Sequence, residues 1–305
     1  MRVIITGGTG LIGRALTDSL VSDGHQVIVL SRNPARATDL PAGASAERWD
    51  GHTAAGWGPL VSEAVIVNLA GENIAARRWT PKRKRQIRES RFDAGKAVLA
   101  AVEAAAIKPL AVIQASAIGY YGACGDEVVT EEHPPGRDFL AGVCLAWEAS
   151  TAPVEALGVR RAVIRSAPVL SSRDGVLPRL VGPFRYFVGG PLGSGHQWFP
   201  WIHIDDEVAA IRFLIENGAA QGPFNLASPH PVSNAEFSRS LGQVLHRPAF
   251  MCVPAFALRL VLGEMATVLL EGQRAIPQHL QEMGFSFRYP EIRSALEDVL
   301  GSASA

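Results

Sequence analysis

Residues 2–16 read RVIITGGTGLIGRAL, a short apolar run followed at once by glycines at positions 7, 10 and 13. The run predicts a β-strand, and LIGRAL predicts the start of a helix. In such a turn Gly7 permits the tight exit from the strand, Gly10 lets the backbone approach a pyrophosphate, and Gly13 lets the helix pack close to the sheet. The pyrophosphate lies over the helix N-terminus, where free N–H groups favour negative charge. The stretch therefore predicts a dinucleotide-binding turn, and a glycine-rich turn without a ligand is the alternative.

Short β-branched runs alternate with helical stretches over most of the remaining chain. Further strands are predicted at 26–31, 64–70, 110–116, 159–170 and 222–228. Strands that are apolar on both faces and separated by helices indicate a parallel sheet that is covered on both sides. Right-handed crossovers then give a doubly wound α/β fold with a parallel Rossmann sheet.

The composition changes after residue 170. Residues 171–201 are rich in glycine, proline and aromatic residues without a clear period, and 232–300 predict three or four short helices. We expect 1–170 with about 202–230 to form the dinucleotide-binding domain, and 171–201 with 231–300 to form a small, mostly helical substrate lobe. The stretch GGPLGSGHQWFPW (189–201) fits either the wall of a substrate pocket or a structural loop.

Composition and charge exclude several classes of function. The chain has 305 residues, 48% of them hydrophobic, and a formal net charge of zero, so the molecule as a whole does not attract nucleic acid or anionic membrane. Its three cysteines show no CxxC spacing, which fits a reducing compartment and predicts no metal site. The sequence also shows no leader ahead of the first strand and no apolar run of membrane-spanning length. We therefore expect a cytoplasmic protein that binds neither nucleic acid nor membrane.

The residues after the second strand indicate which dinucleotide is bound. An NAD site usually has an acidic residue there, which binds the ribose 2′-hydroxyl. This chain has Ser31 and Arg32, with Arg36 one turn later and no acidic residue close in sequence. A guanidinium binds a 2′-phosphate well, so the pair predicts NADP. The alternative is that Ser31 caps a helix and Arg32 is only solvated.

A basic run, RRWTPKRKRQIRESR, occupies residues 77–91 and contains eight Lys or Arg and one acidic residue. It fits a solvated helix face from which one or two arginines reach the NADP phosphates. The alternatives are a surface for a protein partner or a homodimer and, least favoured at zero net charge, a nucleic-acid contact.

The motif TGGTGLIG, with VNLAG at 67–71 and PWIHIDD at 200–206, resembles the extended short-chain dehydrogenase/reductases of the NAD-dependent epimerase/dehydratase superfamily. NLAGENI, SAIGYYG, GSGHQWFPWIHIDD and LLEGQRAIP are similar to an atypical, epimerase-like NADP-binding subgroup, some members of which are labelled cell-division inhibitors. The resemblance implies a seven-stranded Rossmann sheet, a C-terminal substrate lobe and an NADP(H) site. The cofactor contacts that it implies are Thr9, Gly10, Leu11, Ile12, Ser31, Arg32, Leu69, Ala70, Gln86, Arg91 and, beside the nicotinamide, Val169.

The chain departs from that superfamily at the catalytic helix. The usual chemistry needs a Tyr that transfers a proton, a Lys four residues later and an upstream Ser. Aligned on Glu148, the Tyr position holds Leu140 and the Lys position holds Cys144. The Ser position falls on Ala117, with Ser116 one residue away.

Other groups must then supply the proton if a reaction occurs. Ser116, Tyr120 and Tyr121 follow the fifth predicted strand, at the sheet edge where ligands bind in open α/β folds. Cys144 and His203 are further candidates, each with a purely structural alternative. Asp205 and Asp206 are expected to cap and begin the next helix.

These features predict an NADP(H)-dependent oxidoreductase that acts on a small carbonyl or alcohol through a non-standard proton donor. The alternative is a catalytically silent NADP(H)-binding sensor or scaffold. An NAD-dependent nucleotide-sugar epimerase is disfavoured by Arg32 and by the missing Tyr.

Overall fold

A parallel sheet of seven strands organises the chain in the computed structural model, which describes residues 1–37 and 40–301 without the side chain of Arg36. In chain order the strands are β1 (Arg2–Thr6), β2 (Gln26–Ser31), β3 (Ala44–Arg48), β4 (Ala64–Asn68), β5 (Ala111–Ala117), β6 (Val128–Val129), β7 (Arg160–Ser166), β8 (Val169–Leu170), β9 (Trp198–Phe199), β10 (Ile202–His203), β11 (Gly222–Leu226), β12 (Val232–Ser233) and β13 (Arg274–Ala275). The helices are α1 (Leu11–Ser22), α2 (Pro81–Ala104), α3 (Phe139–Thr151), α4 (Leu177–Arg185), α5 (Ile204–Glu216), α6 (Asn234–Leu245), α7 (Ala255–Leu262), α8 (Thr267–Leu270), α9 (Gln278–Glu282) and α10 (Ile292–Gly301).

The sheet has the strand order β11-β7-β5-β4-β1-β2-β3, and all its neighbouring strands are parallel. Its order reverses direction at β1, which pairs with both β2 and β4, so the fold is doubly wound as predicted. In this register Thr6 lies beside Leu30 on one side and Asn68 on the other, so the loops after these strands meet at one edge. Ligands of open α/β sheets bind at that edge.

Helices cover both faces of the sheet. Val3 and Ile5 pack with Leu16 of α1 and Ile211 of α5 on one face, whereas Ile4 packs on the opposite face with residues of α2. Side chains of a strand alternate between faces, so burial of both sets explains why the strands are apolar throughout. None of the helices in the described residues is both long and apolar enough to cross a bilayer.

The C-terminal part has a core of its own. Phe184 of α4, Phe237 of α6 and Leu296 of α10 pack together with Trp201. Three short strand pairs lie outside the seven-stranded sheet: β8 with β10, β9 with β12 and β6 with β13. The predicted helical C-terminal part is confirmed.

Three local predictions were wrong or incomplete. The strand predicted at 159–170 is broken after Ser166: the chain leaves the central sheet, and β8 pairs with β10 instead. Pro168 lies in the break, where it has no N–H to donate to a ladder. The segment 171–201 contains helix α4, hidden in the sequence by Pro183 in its interior. Edge strand β3 was missed because its sequence, ASAER, is polar and mostly exposed.

We expect Gly95→Ala to destabilise the fold, because α2 and α3 touch at this glycine. A Cβ at Gly95 would lie 1.8 Å from Ser150 Oγ and 2.6 Å from Ser150 Cβ. Overpacking of this kind lowers the free energy of unfolding by roughly 1–3 kcal/mol, measurable by urea denaturation. Gly142→Ala on α3 is the matched control, because nothing lies within 4 Å of its Cβ. That variant gains helix propensity and should unfold at higher urea. A Gly95→Ala protein as stable as wild type would contradict this packing.

Candidate functional site

The glycine turn after β1 is built from close backbone contacts. Gly7 has a φ of +69°, and a Cβ there would lie 2.9 Å from the carbonyl carbon of Leu69. A Cβ at Gly13 would lie 2.5 Å from the Gly7 carbonyl oxygen. The turn thus requires glycine at both positions, one to fit against the loop after β4 and one to let α1 approach.

The N-terminus of α1 is open. Gly10 is its N-cap residue and provides no side-chain cap. A Cβ at Gly10 would meet only the Gly7 carbonyl oxygen, at 3.3 Å. The N–H groups of the first helical turn, among them those of Leu11 and Ile12, have no acceptor within the helix. This geometry fits a pyrophosphate, which would be placed beside Thr9 and Gly10 and would accept from these N–H groups.

The end of β2 presents an exposed guanidinium. Arg32 is 77% exposed, and its nearest carboxylate oxygen is Glu72 Oε1 at 3.9 Å. The sequence showed no acidic residue here because Glu72 comes from the loop after β4. The Ser31 hydroxyl accepts the N–H of Asn33 at 3.2 Å, so it stabilises the local turn. The side chain of Arg36 lies outside the part of the chain that the structure describes.

The cofactor contacts implied by the resemblance divide into two groups. The Leu69–Ala70 backbone lies against Gly7, and the Ala70 N–H donates to Thr6 Oγ1 at 3.2 Å. Arg91 Nη1 donates to the Glu72 carbonyl at 3.0 Å, so Arg91 holds this loop in place. Burial lowers the pKa of Arg91 to about 10.

The other two contacts lie apart from these. Gln86 is exposed and lines a separate basic cavity, together with Arg77, Arg78 and other residues of 77–91. Val169 is buried on β8, after the chain has left the central sheet.

Two of the three predicted catalytic hydroxyls belong to a buried network. Ser116 Oγ donates to Glu148 Oε1 at 2.6 Å, and Arg165 binds both oxygens of the same carboxylate at 3.0 Å. Arg165 Nη1 also donates to the Tyr121 hydroxyl, which donates to Asn225 Oδ1 at 2.6 Å. Burial raises the pKa of Tyr121. Ser116 and Tyr121 therefore have structural partners and are poorly placed as proton donors.

Tyr120 differs from these two residues. Its ring packs under the Arg165 guanidinium, 3.5 Å from the ring centroid, and edge-on against Tyr121. Its hydroxyl makes no hydrogen bond to the described residues, and the side chain is half-buried. Tyr120 is the one predicted catalytic hydroxyl that the described part of the chain leaves free to meet a ligand.

Helix α3 carries no acid–base pair at the positions where the superfamily has its Tyr and Lys. Leu140 packs against Gly119, where an added Cβ would lie 3.4 Å from Leu140 Cβ. Cys144 Sγ donates to the Ala117 carbonyl at 3.7 Å, and burial raises the pKa of its thiol to about 11. Both side chains therefore serve packing.

His203 and the acidic residues after it connect α5 to the C-terminal part. His203 Nδ1 accepts the N–H of Asp205, so His203 is the N-cap residue, and the expectation that Asp205 caps this helix was wrong. The His203 ring stacks on Tyr289 with centroids 3.9 Å apart, and burial lowers its pKa. Asp206 accepts the N–H groups of Arg288 and Tyr289 at 2.8 and 2.9 Å. These roles are structural.

Sequence reasoning missed the charged members of the network. Arg165 is the second-to-last residue of β7, directly after the buried apolar run 162–164, and lies beside Ser116 in the sheet register; Glu148 comes from α3. A charged residue directly after an apolar run within a predicted strand was the available signal, because a buried charge needs a partner. Within the described residues, His, Cys, Asp and Glu side chains form no group of three that could hold a metal ion.

The sheet, the glycine turn and the open helix N-terminus define a dinucleotide-binding α/β fold. The model of the NAD-dependent epimerase/dehydratase family matches residues 3–227, and a domain of unknown function, DUF1731, matches 253–299. The chain belongs to the NAD-dependent epimerase/dehydratase family.

Relatives resemble the chain over nearly its whole length. It is 40% identical to the chloroplastic SDR39U1 homolog of Arabidopsis thaliana, covering 98% of this chain and 87% of that protein. It is 37% identical to the epimerase family protein YfhF of Bacillus subtilis, covering 98% of each. The crystal structure of human SDR39U1 (isoform 2) with NADPH matches at a TM-score of 0.89 and 34% identity, covering 99% of each chain. UDP-glucuronic acid 4-epimerase of Bacillus cereus, at 16% identity and a TM-score of 0.80, shares the fold.

A buried carboxyl group contacts the last residue of β7, where the chain leaves the central sheet before Val169. Glu207 on α5 is fully buried, and its Oε1 accepts from Ser166 Oγ at 2.6 Å. Its Oε2 has no hydrogen-bond partner among the described residues. Burial raises the pKa of Glu207 from 4.5 to about 8.

We expect Glu207 to make stability depend on pH. Between pH 4.5 and about 8 the folded state holds one proton more than the unfolded chain, which is already ionised at this residue. The free energy of unfolding should therefore fall as pH rises through that window, by up to about 1.4 kcal/mol per pH unit. Urea denaturation at several pH values measures the slope. Glu207→Gln keeps an acceptor for Ser166 but cannot ionise, so its slope should be smaller; equal slopes would contradict this assignment.

Proposed function

We propose that the protein is an NADP(H)-dependent oxidoreductase that interconverts a small carbonyl compound and its alcohol. The observation that carries the proposal is the open N-terminus of α1 over the glycine turn, beside the exposed guanidinium of Arg32. Human SDR39U1, which is 34% identical to this chain, was crystallised with NADPH, and this supports the same cofactor here.

The residues present fit a phosphorylated dinucleotide. The first turn of α1 would hold the pyrophosphate through its N–H groups. Arg32 would bind the 2′-phosphate, since a guanidinium makes paired, charge-assisted hydrogen bonds to phosphate. When bound, the reduced cofactor supplies the hydride; the chain has to supply the proton.

Tyr120 is the proposed proton donor to the carbonyl oxygen. Its hydroxyl has no internal partner, whereas those of Ser116 and Tyr121 have one. Arg165 lies against its ring and is itself held by both oxygens of Glu148, so the network positions Tyr120. Ser116 contributes through Glu148, as a positioning residue.

A silent sensor or scaffold is the second candidate function. The packing roles of Leu140 and Cys144 favour it, because they leave α3 without the usual proton-transfer pair. NADPH that stays unoxidised across a broad panel of carbonyl compounds, combined with partner binding that differs between NADPH and NADP⁺, would establish this function instead.

We also propose where the protein works and which partners it lacks. A cytoplasmic protein without nucleic-acid or membrane contacts is supported by the zero net charge and by cysteines that are unpaired in the described residues. A partner or homodimer surface on 77–91 is less favoured, because Arg83 and Lys84 pair internally with Glu72 and Glu264.

Arg32→Asp should weaken NADPH binding by about 10- to 100-fold, because a charge-assisted phosphate contact is replaced by a like charge. Calorimetric titration measures this change, with NADH as the reference ligand. Arg239→Asp, which reverses an exposed charge on α6, is the control and should bind NADPH normally. Unchanged NADPH affinity in Arg32→Asp would place the 2′-phosphate elsewhere.

Tyr120→Phe should lower the rate of NADPH oxidation by about 100- to 10,000-fold with the best substrate of a carbonyl panel, without changing NADPH affinity. Tyr121→Phe is the matched variant. It removes hydrogen bonds to Arg165 and Asn225 and should chiefly lower stability. Stopped-flow single turnovers measure the rate of each variant, and urea denaturation measures its stability. Tyr120→Phe turning over at the wild-type rate would exclude Tyr120 as the donor.

A further inference from the structure

A basic cavity lies at the N-terminal end of α2. It has a volume of about 400 Å³ and lies where the chain after β4 enters α2. Its lining consists of Arg77, Arg78, Thr80, Lys82, Arg83 and Gln86. Four of these six side chains are cationic and none is acidic.

Most of this positive charge is not paired with an acidic side chain among the described residues. Arg83 pairs with Glu72 at 2.9 Å and donates to the Asn73 carbonyl, but its buried Nε has no acceptor in the part of the chain that the structure describes. Arg77, Arg78 and Lys82 make no ion pair or hydrogen bond with the described residues. Like charges gathered around one cavity produce a strongly positive potential, which an anion would offset.

The cavity lining contacts the C-terminal part of the chain. Arg78 lies against Gly263, where an added Cβ would be 3.0 Å from Arg78 Nη2. Gln86, in the same lining, is a cofactor contact implied by family resemblance. Lys84 fastens α2 to the segment around Gly263 through Glu264 at 2.6 Å. A group bound here would therefore lie beside the segment around Gly263 and Glu264, in the part of the chain that we expect to form the substrate lobe.

We propose that this cavity binds a phosphate group of the substrate, so that the substrate is a small phosphorylated carbonyl compound or alcohol. The inference rests on the proposed function. Arginine forks match phosphate oxygens in pairs, and Lys82 adds a compact charge. Thr80 Oγ1 already accepts the N–H of Arg83 as the helix cap, so its hydroxyl hydrogen is available to donate to the anion.

The test is calorimetric titration of inorganic pyrophosphate into protein saturated with NADPH, which blocks the cofactor's own phosphate positions. Wild type should bind one equivalent. The double variant Arg77→Ala/Arg78→Ala should bind it about tenfold more weakly or worse, since two charge-assisted contacts are lost. Arg88→Ala is the control: it removes an exposed charge from α2, outside the cavity lining. It should bind pyrophosphate as wild type does, and NADPH affinity should be unchanged in every variant.

Several outcomes would overturn the proposal. In one, wild-type protein saturated with NADPH binds no pyrophosphate. In another, Arg88→Ala lowers the pyrophosphate affinity as much as the double variant does. A third is loss of NADPH affinity in the double variant, which would assign the cavity to the cofactor. Tighter binding of a single-stranded oligonucleotide, weakened equally by Arg88→Ala, would indicate a nucleic-acid surface instead. If wild type binds no NADPH at all, the proposed function fails. Titration of pyrophosphate into the free wild type and double variant then still shows whether the cavity binds a phosphate group.

Discussion

The contact between the glycine turn and the loop after β4 is the constraint on which the rest of the site depends. Gly7 fits against the Leu69–Ala70 backbone with no room for a side chain, and Gly13 fits against Gly7. These contacts lock β1, β4 and α1 together at the edge of the sheet, with the N-terminus of α1 facing outward. The loop then continues past Glu72, whose carbonyl accepts a hydrogen bond from Arg91. Its last residues and the first turns of α2 line the basic cavity. The cofactor cradle and the cavity are thus consequences of one packing arrangement.

A second arrangement is a buried network beside α3, the helix that lacks the superfamily's proton-transfer pair. Ser116, Glu148, Arg165, Tyr121 and Asn225 connect β5, α3, β7 and β11 through buried, charge-assisted hydrogen bonds. A buried ion pair is stable only when its remaining hydrogen-bonding groups are satisfied, and here Arg165 has Glu148, Tyr121 and the Glu131 carbonyl as acceptors. The network is therefore rigid, and it holds Tyr120 at the edge of the sheet. This fixed position fits the role of proton donor that we propose for Tyr120.

Much of the fold was predictable from local sequence, whereas the site was predictable only in part. The strands at 2–6 and 26–31, the glycine turn and the doubly wound order follow from apolar patterning and from the conformational needs of glycine. Edge strand β3 and helix α4 did not, because one is polar and the other contains Pro183. The pairing of Arg32 with Glu72 and of Arg165 with Glu148 joins residues far apart in sequence, and no local pattern encodes it. The same holds for Tyr121: its residue type indicated proton transfer, and only the fold shows that its hydroxyl is already bonded to Asn225.

A crystal structure of the protein with NADPH tests most directly whether the glycine turn and Arg32 together hold a phosphorylated dinucleotide. We expect the pyrophosphate over the first turn of α1, the 2′-phosphate on the Arg32 guanidinium and the nicotinamide at the Val169 end of the cleft. A 2′-phosphate bound away from Arg32, or a glycine turn without a nucleotide at saturating NADPH, would contradict this assignment.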